Sequence, residues 1–193
     1  MNFNEEIDKR LDLLNANICC PYGAGEVFSV RESKPDGYAE VHLTVGSNPC
    51  FHIDKIDKNV FPVLARKRCA DHLVFVFDPQ TEQWTLHIFE MTRSISKTTW
   101  EEKILPQFNG GLTNAYAIMG VLRCCMDFTE VQVHCCYQKN KSETSPIHLK
   151  PLLGEPAPRD WLNDPVTFAS YPQKMAQNLP LKLDGDGKGQ LQL

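Results

Sequence analysis

Asp71 and Glu90 are the two residues whose type and spacing point most directly to chemistry. They stand at the outer ends of two runs, Asp71–Phe77 and Trp84–Glu90, separated by Asp78-Pro79-Gln80-Thr81-Glu82-Gln83. β-branched and aromatic residues favour paired strands, and Asp and Pro favour turns, so the segment predicts a hairpin. If it is symmetric about the gap between Gln80 and Thr81, residues whose numbers total 161 lie opposite each other, and Asp71 meets Glu90. Directly opposed side chains have Cβ atoms about 4.5–5.5 Å apart. With a period of two, Asp71 shares a face with Leu73, Phe75 and Phe77, and Glu90 with Trp84, Leu86 and Ile88. Such an apolar face calls for a covering helix. The other face, with His72, Val74, Val76, Thr85, His87 and Phe89, is more mixed. Two carboxylates at the end of a buried face repel each other, so either one is protonated or a cation sits between them.

The run Arg66-Lys67-Arg68-Cys69-Ala70-Asp71 leads into the first strand, and Leu86-His87-Ile88-Phe89-Glu90-Met91-Thr92 forms the second. Gln107 stands on the helix expected after them. Together these resemble the PD-(D/E)XK nuclease superfamily, the restriction-endonuclease-like fold, over roughly residues 1–137. The resemblance implies an α/β (α+β) core, with a central mixed sheet flanked by helices. It also implies Mg²⁺ (or Mn²⁺) on Asp71 and Glu90, metal-dependent cleavage of nucleic-acid phosphodiesters, and Gln107 as a polar contact. The superfamily's lysine would fall at position 92. Thr92 can hydrogen-bond but supplies no cation. Two outcomes stand open: a substitute base, or a catalytically degenerate site. Arg93 falls on the other face if the strand continues, which leaves Lys97, from the approach to the helix, as the better substitute. Glu26 and Glu6 are further ligand candidates on position alone.

For nucleic-acid contact the best local patch is Lys55, Lys58, Arg66, Lys67 and Arg68, which with Asp54 and Asp57 gives a net +3 over residues 54–68. Solvated loop charges explain the same run equally well. A reading from another class is a non-enzymatic interaction protein, such as a phage- or mobile-element-type regulator or inhibitor. The overall acidic charge would then face a basic protein partner.

Several elements must position these groups. Phe3, Ile7, Leu11 and Leu14 recur at helical spacing, which predicts an amphipathic helix over residues 2–15, broken at Cys19-Cys20-Pro21-Tyr22-Gly23. Gly25–Arg31 and Tyr38–Val45 read as strands about the Lys34-Pro35-Asp36-Gly37 turn. Residues 51–57 alternate as a further strand or an irregular edge. Trp100–Cys124 reads as a helix with a kink or split at Gly110-Gly111, and Glu130–Tyr137 as a core strand. Beyond residue 140 prolines accumulate and periodicity fades. This predicts a core over 1–140 and an irregular Pro-rich extension over 141–193 with a flexible end.

The chain of 193 residues carries 20 Lys+Arg against 24 Asp+Glu, a net charge of −4. That balance excludes a protein that holds nucleic acid through bulk positive charge alone. No apolar run reaches the ~20 residues of a membrane-spanning helix, and the polar start is unlike a signal peptide. The expected location is cytoplasmic. The eight cysteines, including the pairs Cys19-Cys20, Cys124-Cys125 and Cys135-Cys136, are then expected as reduced, largely structural thiols. His134 beside Cys135 would form a nucleophile pair only if the fold joined them. Asp184-Gly185-Asp186-Gly187-Lys188 is rejected as an EF-hand loop, because lysine stands at a ligand position.

Overall fold

The computed structural model describes residues 3, 5–14, 16, 18–34, 37–54, 69–124, 127–140 and 162–193. A mixed eight-stranded sheet organises them. β4 (Cys50–Asp54), β5 (His72–Asp78) and β6 (Gln83–Ile95) form an antiparallel meander, and β1 (Cys19–Tyr22) adds antiparallel to β4. A helical crossover leads from β6 to β7 (Glu130–Asn140), which lies parallel to β6. Beyond β7 come β8 (Val166–Phe168), β9 (Tyr171–Asn178) and the short β10 (Leu181–Lys182). The fold is thus α+β with a mixed sheet.

The hairpin register is the expected one: His72 opposes Phe89, Phe75 opposes Leu86 and Asp78 opposes Gln83, each pair totalling 161. Asp78 ties its turn, its carboxylate accepting hydrogen bonds from the Gln80 N–H and the Thr81 hydroxyl, both at 2.8 Å. One face of the sheet, with Leu73, Phe75, Trp84, Leu86 and Ile88, packs under helices. α1 (Glu5–Leu11) contributes Ile7, and α2 (Leu105–Leu122) contributes Phe108, Leu112, Ala115 and Ile118.

α2 is entered through the capped turn Lys97–Thr99, where the Ser96 hydroxyl accepts the Thr99 N–H, and then a π-helical turn over Trp100–Ile104. The expected break at Gly110-Gly111 is not found, because the helix runs through both glycines. Gly111 instead permits close approach: a Cβ there would stand 2.8 Å from Ile88 Cγ2 and 3.2 Å from Ala70 Cβ. The helix ends at Arg123, whose left-handed backbone (φ 51°) lets the Arg123 and Cys124 N–H groups reach the Gly120 and Met119 carbonyls.

Two further expectations are corrected. The opposite face of the sheet is covered by a second sheet, not by helices. β2 (Val27–Lys34) and β3 (Gly37–Thr44) form the anticipated hairpin, and their Val30, Val41 and Leu43 pack on Val74, Phe89 and Met91. The C-terminal end, expected to be flexible, is a strand: β11 (Lys188–Gln192) runs parallel to β3, from Lys188↔Glu40 to Gln192↔Thr44. Its polar, Gly-rich composition masked this, since an edge strand with one solvated face needs few apolar residues. Gly187 (φ 81°) makes the tight entry, where a Cβ would strike the Tyr38 carbonyl oxygen at 2.2 Å. Among the described residues no helix is long and apolar enough to cross a membrane.

Candidate functional site

Asp71 and Glu90 stand one step beyond His72↔Phe89, the terminal pair of the β5–β6 ladder, on the helix-covered side of the sheet. The Asp71 Oδ2 accepts the Met91 N–H at 2.8 Å, which ties the start of β5 across to β6. Glu90 is completely buried and faces Cys135 across the parallel β6–β7 pair. The cation at this corner is an ammonium: Lys103 Nζ lies 3.6 Å from Glu90 Oε1, with the lysine side chain 47% exposed. Lys103 belongs to the π turn, which closes from the Leu105 N–H to the Trp100 carbonyl. That extra residue shifts the helical phase, which a 3.6-residue reading does not anticipate.

Gln107 follows Lys103 by four residues and precedes Gly111 by four, so the three share one ridge of the helix. Lys103 touches Glu90, and Gly111 lies against Ile88 and Ala70. The Gln107 Oε1 is buried and accepts no hydrogen bond among the described residues. Lys97 is displaced from this corner. Its ammonium pairs with Glu101 at 3.9 Å, and it lines an open groove with Trp100, Leu105, Asp164 and Val166. Thr92 turns its hydroxyl onto the Ser94 carbonyl. Glu6 pairs with Arg10 on α1, and Glu26 caps the Gly23 N–H. Lys55, Lys58, Arg66, Lys67 and Arg68 lie outside the described residues.

Cys135 faces the corner and Cys136 the opposite side of the sheet. Burial first, then Cys136 and Glu90, push the Cys135 thiol well up, and burial raises Cys136 likewise. His134 and Cys135, being adjacent in a strand, face opposite sides of the sheet, so they form no nucleophile pair. Among the described residues no disulfide is formed.

The opposite face holds a group that sequence reasoning did not assemble. His52 and Asp54 alternate on β4, and the β4–β5 register sets Asp54 opposite His72 and His52 opposite Val74. His52 Nε2 lies 3.1 Å from His72 Nδ1, which in turn lies 3.2 Å from Asp54 Oδ1. The three ligand atoms fall within 4.8 Å of one another, and this buried His–Asp–His group can hold a metal ion. His72 Nε2 contacts the Arg31 carbonyl at 3.1 Å, linking the group to β2. Burial and His72 push the His52 pKa down to about 3. A second pair, His87 Nδ1 and His134 Nε2 at 3.1 Å, is also buried on this face. Burial lowers the His87 pKa to about 4, and burial with His87 lowers that of His134 to about 3. The alternation in Phe51-His52-Ile53-Asp54 and the position of His72 on the mixed face were legible; the pairing of β4 with β5 was not.

No family model matches this chain, and no curated protein or solved structure shows significant similarity to it.

Proposed function

We propose that this chain is a divergent nuclease-fold protein acting on nucleic acid, with Asp71, Glu90, Lys103 and Gln107 as its reactive corner. The observation that carries this reading is the placement of Lys103, which reaches Glu90 from the helix after the hairpin. It supplies, beside the Asp71–Glu90 pair, the cation that Thr92 cannot. The meander of β4, β5 and β6, followed by a helical crossover to parallel β7, is also consistent with the resemblance.

The donor set fits Mg²⁺ or Mn²⁺: two carboxylates are hard oxygen ligands, and such ions keep several water or phosphate ligands of their own. The buried, unpartnered Gln107 Oε1 fits as well, since it needs a donor such as an ordered water. When bound, the metal would polarise a phosphate and acidify a water. The chain's own groups do the remainder. Asp71 and Glu90 hold the negative locus, and the half-exposed Lys103 can turn its ammonium from Glu90 to a phosphate oxygen. Gln107 orients a water through its amide oxygen.

The test is incubation with plasmid, single-stranded DNA and RNA in Mg²⁺ or Mn²⁺. Cleavage lost in both Glu90→Gln and Lys103→Met, and retained in Lys97→Ala, is the expected result. Silence on all three substrates would sink the catalytic reading. A second reading is the non-enzymatic interaction protein with a basic protein partner. It is favoured by the fact that Lys103 already offsets the buried Glu90 carboxylate without a metal. A stable protein complex together with catalytic silence is its expected signature.

A further inference from the structure

We infer that His52, Asp54 and His72 form a binding site for a divalent transition metal of the zinc class. The site is separate from the carboxylate corner and lies on the other face of the same sheet.

The convergence of three donor atoms carries the argument. The His72 Nε2 sits 3.1 Å from the Arg31 carbonyl, which only accepts hydrogen bonds, so Nε2 bears the proton. In the neutral ring the Nδ1 is then a lone pair. That lone pair faces the Asp54 Oδ1 at 3.2 Å and the His52 Nε2 at 3.1 Å. A carboxylate oxygen and an imidazole lone pair at that distance repel each other unless something positive lies between them. His52 can donate one proton from its Nε2 to the His72 Nδ1, while the Asp54 carboxylate faces that same nitrogen. The group therefore offers a cation two imidazole nitrogens and one carboxylate oxygen that converge within 4.8 Å.

The geometry suits the metal. Zinc–nitrogen and zinc–oxygen bonds near 2.0–2.1 Å in a tetrahedron put neighbouring donor atoms about 3.3 Å apart. The two measured edges, 3.1 and 3.2 Å, are close to that length. Two imidazoles and one carboxylate favour zinc and its transition-metal neighbours over Mg²⁺, which selects oxygen donors. The Arg31 carbonyl on His72 is the outer partner that ligating histidines characteristically have, one that fixes tautomer and ring orientation. His52 and His72 are buried, while the Asp54 side chain is 34% exposed, so an ion can enter from the Asp54 side. Three protein ligands leave a coordination position for water or another small ligand. Because Arg31 lies on β2, the ion would also tie the second sheet to β4 and β5.

The experiment uses the full chain, reduced and stripped with a chelator, and titrated calorimetrically with Zn²⁺ at pH 7.5. Parallel titrations use Asp54→Asn, His72→Ala, Glu90→Gln and, for the thiols, Cys19→Ser with Cys20→Ser. One equivalent per chain is expected, bound at least tenfold more weakly by Asp54→Asn and His72→Ala and unchanged in the other variants. Co²⁺ should give visible ligand-field bands without thiolate charge transfer, and Zn²⁺ should raise the Tm of the wild type but not of Asp54→Asn. Since Asp54 is partly exposed, Asp54→Asn keeps the test valid if His72→Ala fails to fold. Zinc retained at full affinity in Asp54→Asn, or abolished in the double cysteine variant, would overturn the assignment, as would the absence of binding. Retention in Glu90→Gln separates this outcome from the fate of the nuclease reading.

Discussion

The two faces of the β5–β6 hairpin carry opposite solutions to the burial of polar groups. Under the helices the face is apolar, from Trp84 to Ile88 and from Leu73 to Phe77, and its charge is confined to one corner. There a buried carboxylate is balanced by a lysine whose stem crosses from buried to solvated ground. Between the two sheets, four histidines, His52, His72, His87 and His134, sit in two adjacent cross-strand rows. These are buried polar groups with titratable protons and ring partners. The helix face keeps its charge and offsets it. The inter-sheet face holds His52, His87 and His134 neutral by burial. A buried group can thus be accommodated by a fixed counter-charge or by loss of its own charge, and acid and metal act on these two differently.

The comparison breaks first if one face is not a true core. Phe75 under the helices and Phe89 between the sheets are both fully buried. Phe75→Ala and Phe89→Ala should each cost about 4 kcal/mol in urea unfolding. A cost below about 1 kcal/mol for Phe89→Ala would mean that the inter-sheet face admits water.

The next effect concerns the corner. Lys103→Ala removes the ammonium beside a buried carboxylate and should destabilise by about 2 kcal/mol. Adding Glu90→Gln should recover part of that loss, because the charge that needed an offset has gone. Strictly additive losses in that double-mutant cycle would deny the pairing.

Acid should separate the faces. A histidine whose folded pKa lies below its unfolded value of about 6.5 binds more protons when unfolded. Its full stabilisation is therefore present above about pH 6.5 and is lost as pH falls towards the folded values of about 3 to 4. Each such group contributes up to about 1.4 kcal/mol per pH unit within that window. His134→Leu should flatten the acid limb of the stability–pH curve, and an unchanged slope would show that His134 is not held neutral. Smallest is Lys97→Ala. It breaks an exposed pair with Glu101 and should shift stability by less than about 0.5 kcal/mol.

Much of the hairpin was legible because its determinants are local. A short turn sets the register, and a period of two then assigns every side chain to a face. The same reasoning set Asp71 against Glu90 and called for a covering helix. Lys103 escaped it because a π turn alters the helical phase, so that Lys97, nearer in sequence, is the more distant in the fold. The four histidines gave no shared motif, for they come from four strands of which only β5 and β6 are joined by a short turn. The C-terminal strand was hidden in the same way, since its partner β3 lies far back in the chain.

The sequence by itself determined the hairpin, its two faces, the carboxylate pair and the amphipathic helices, all governed by spacing within a few turns of chain. Only the tertiary structure decided which cation meets Glu90, that the mixed face lies under a second sheet, and that His52, Asp54 and His72 converge. Each of those depends on the register between segments joined by long connections. Burial of whole faces selects that register, and a local pattern does not encode it.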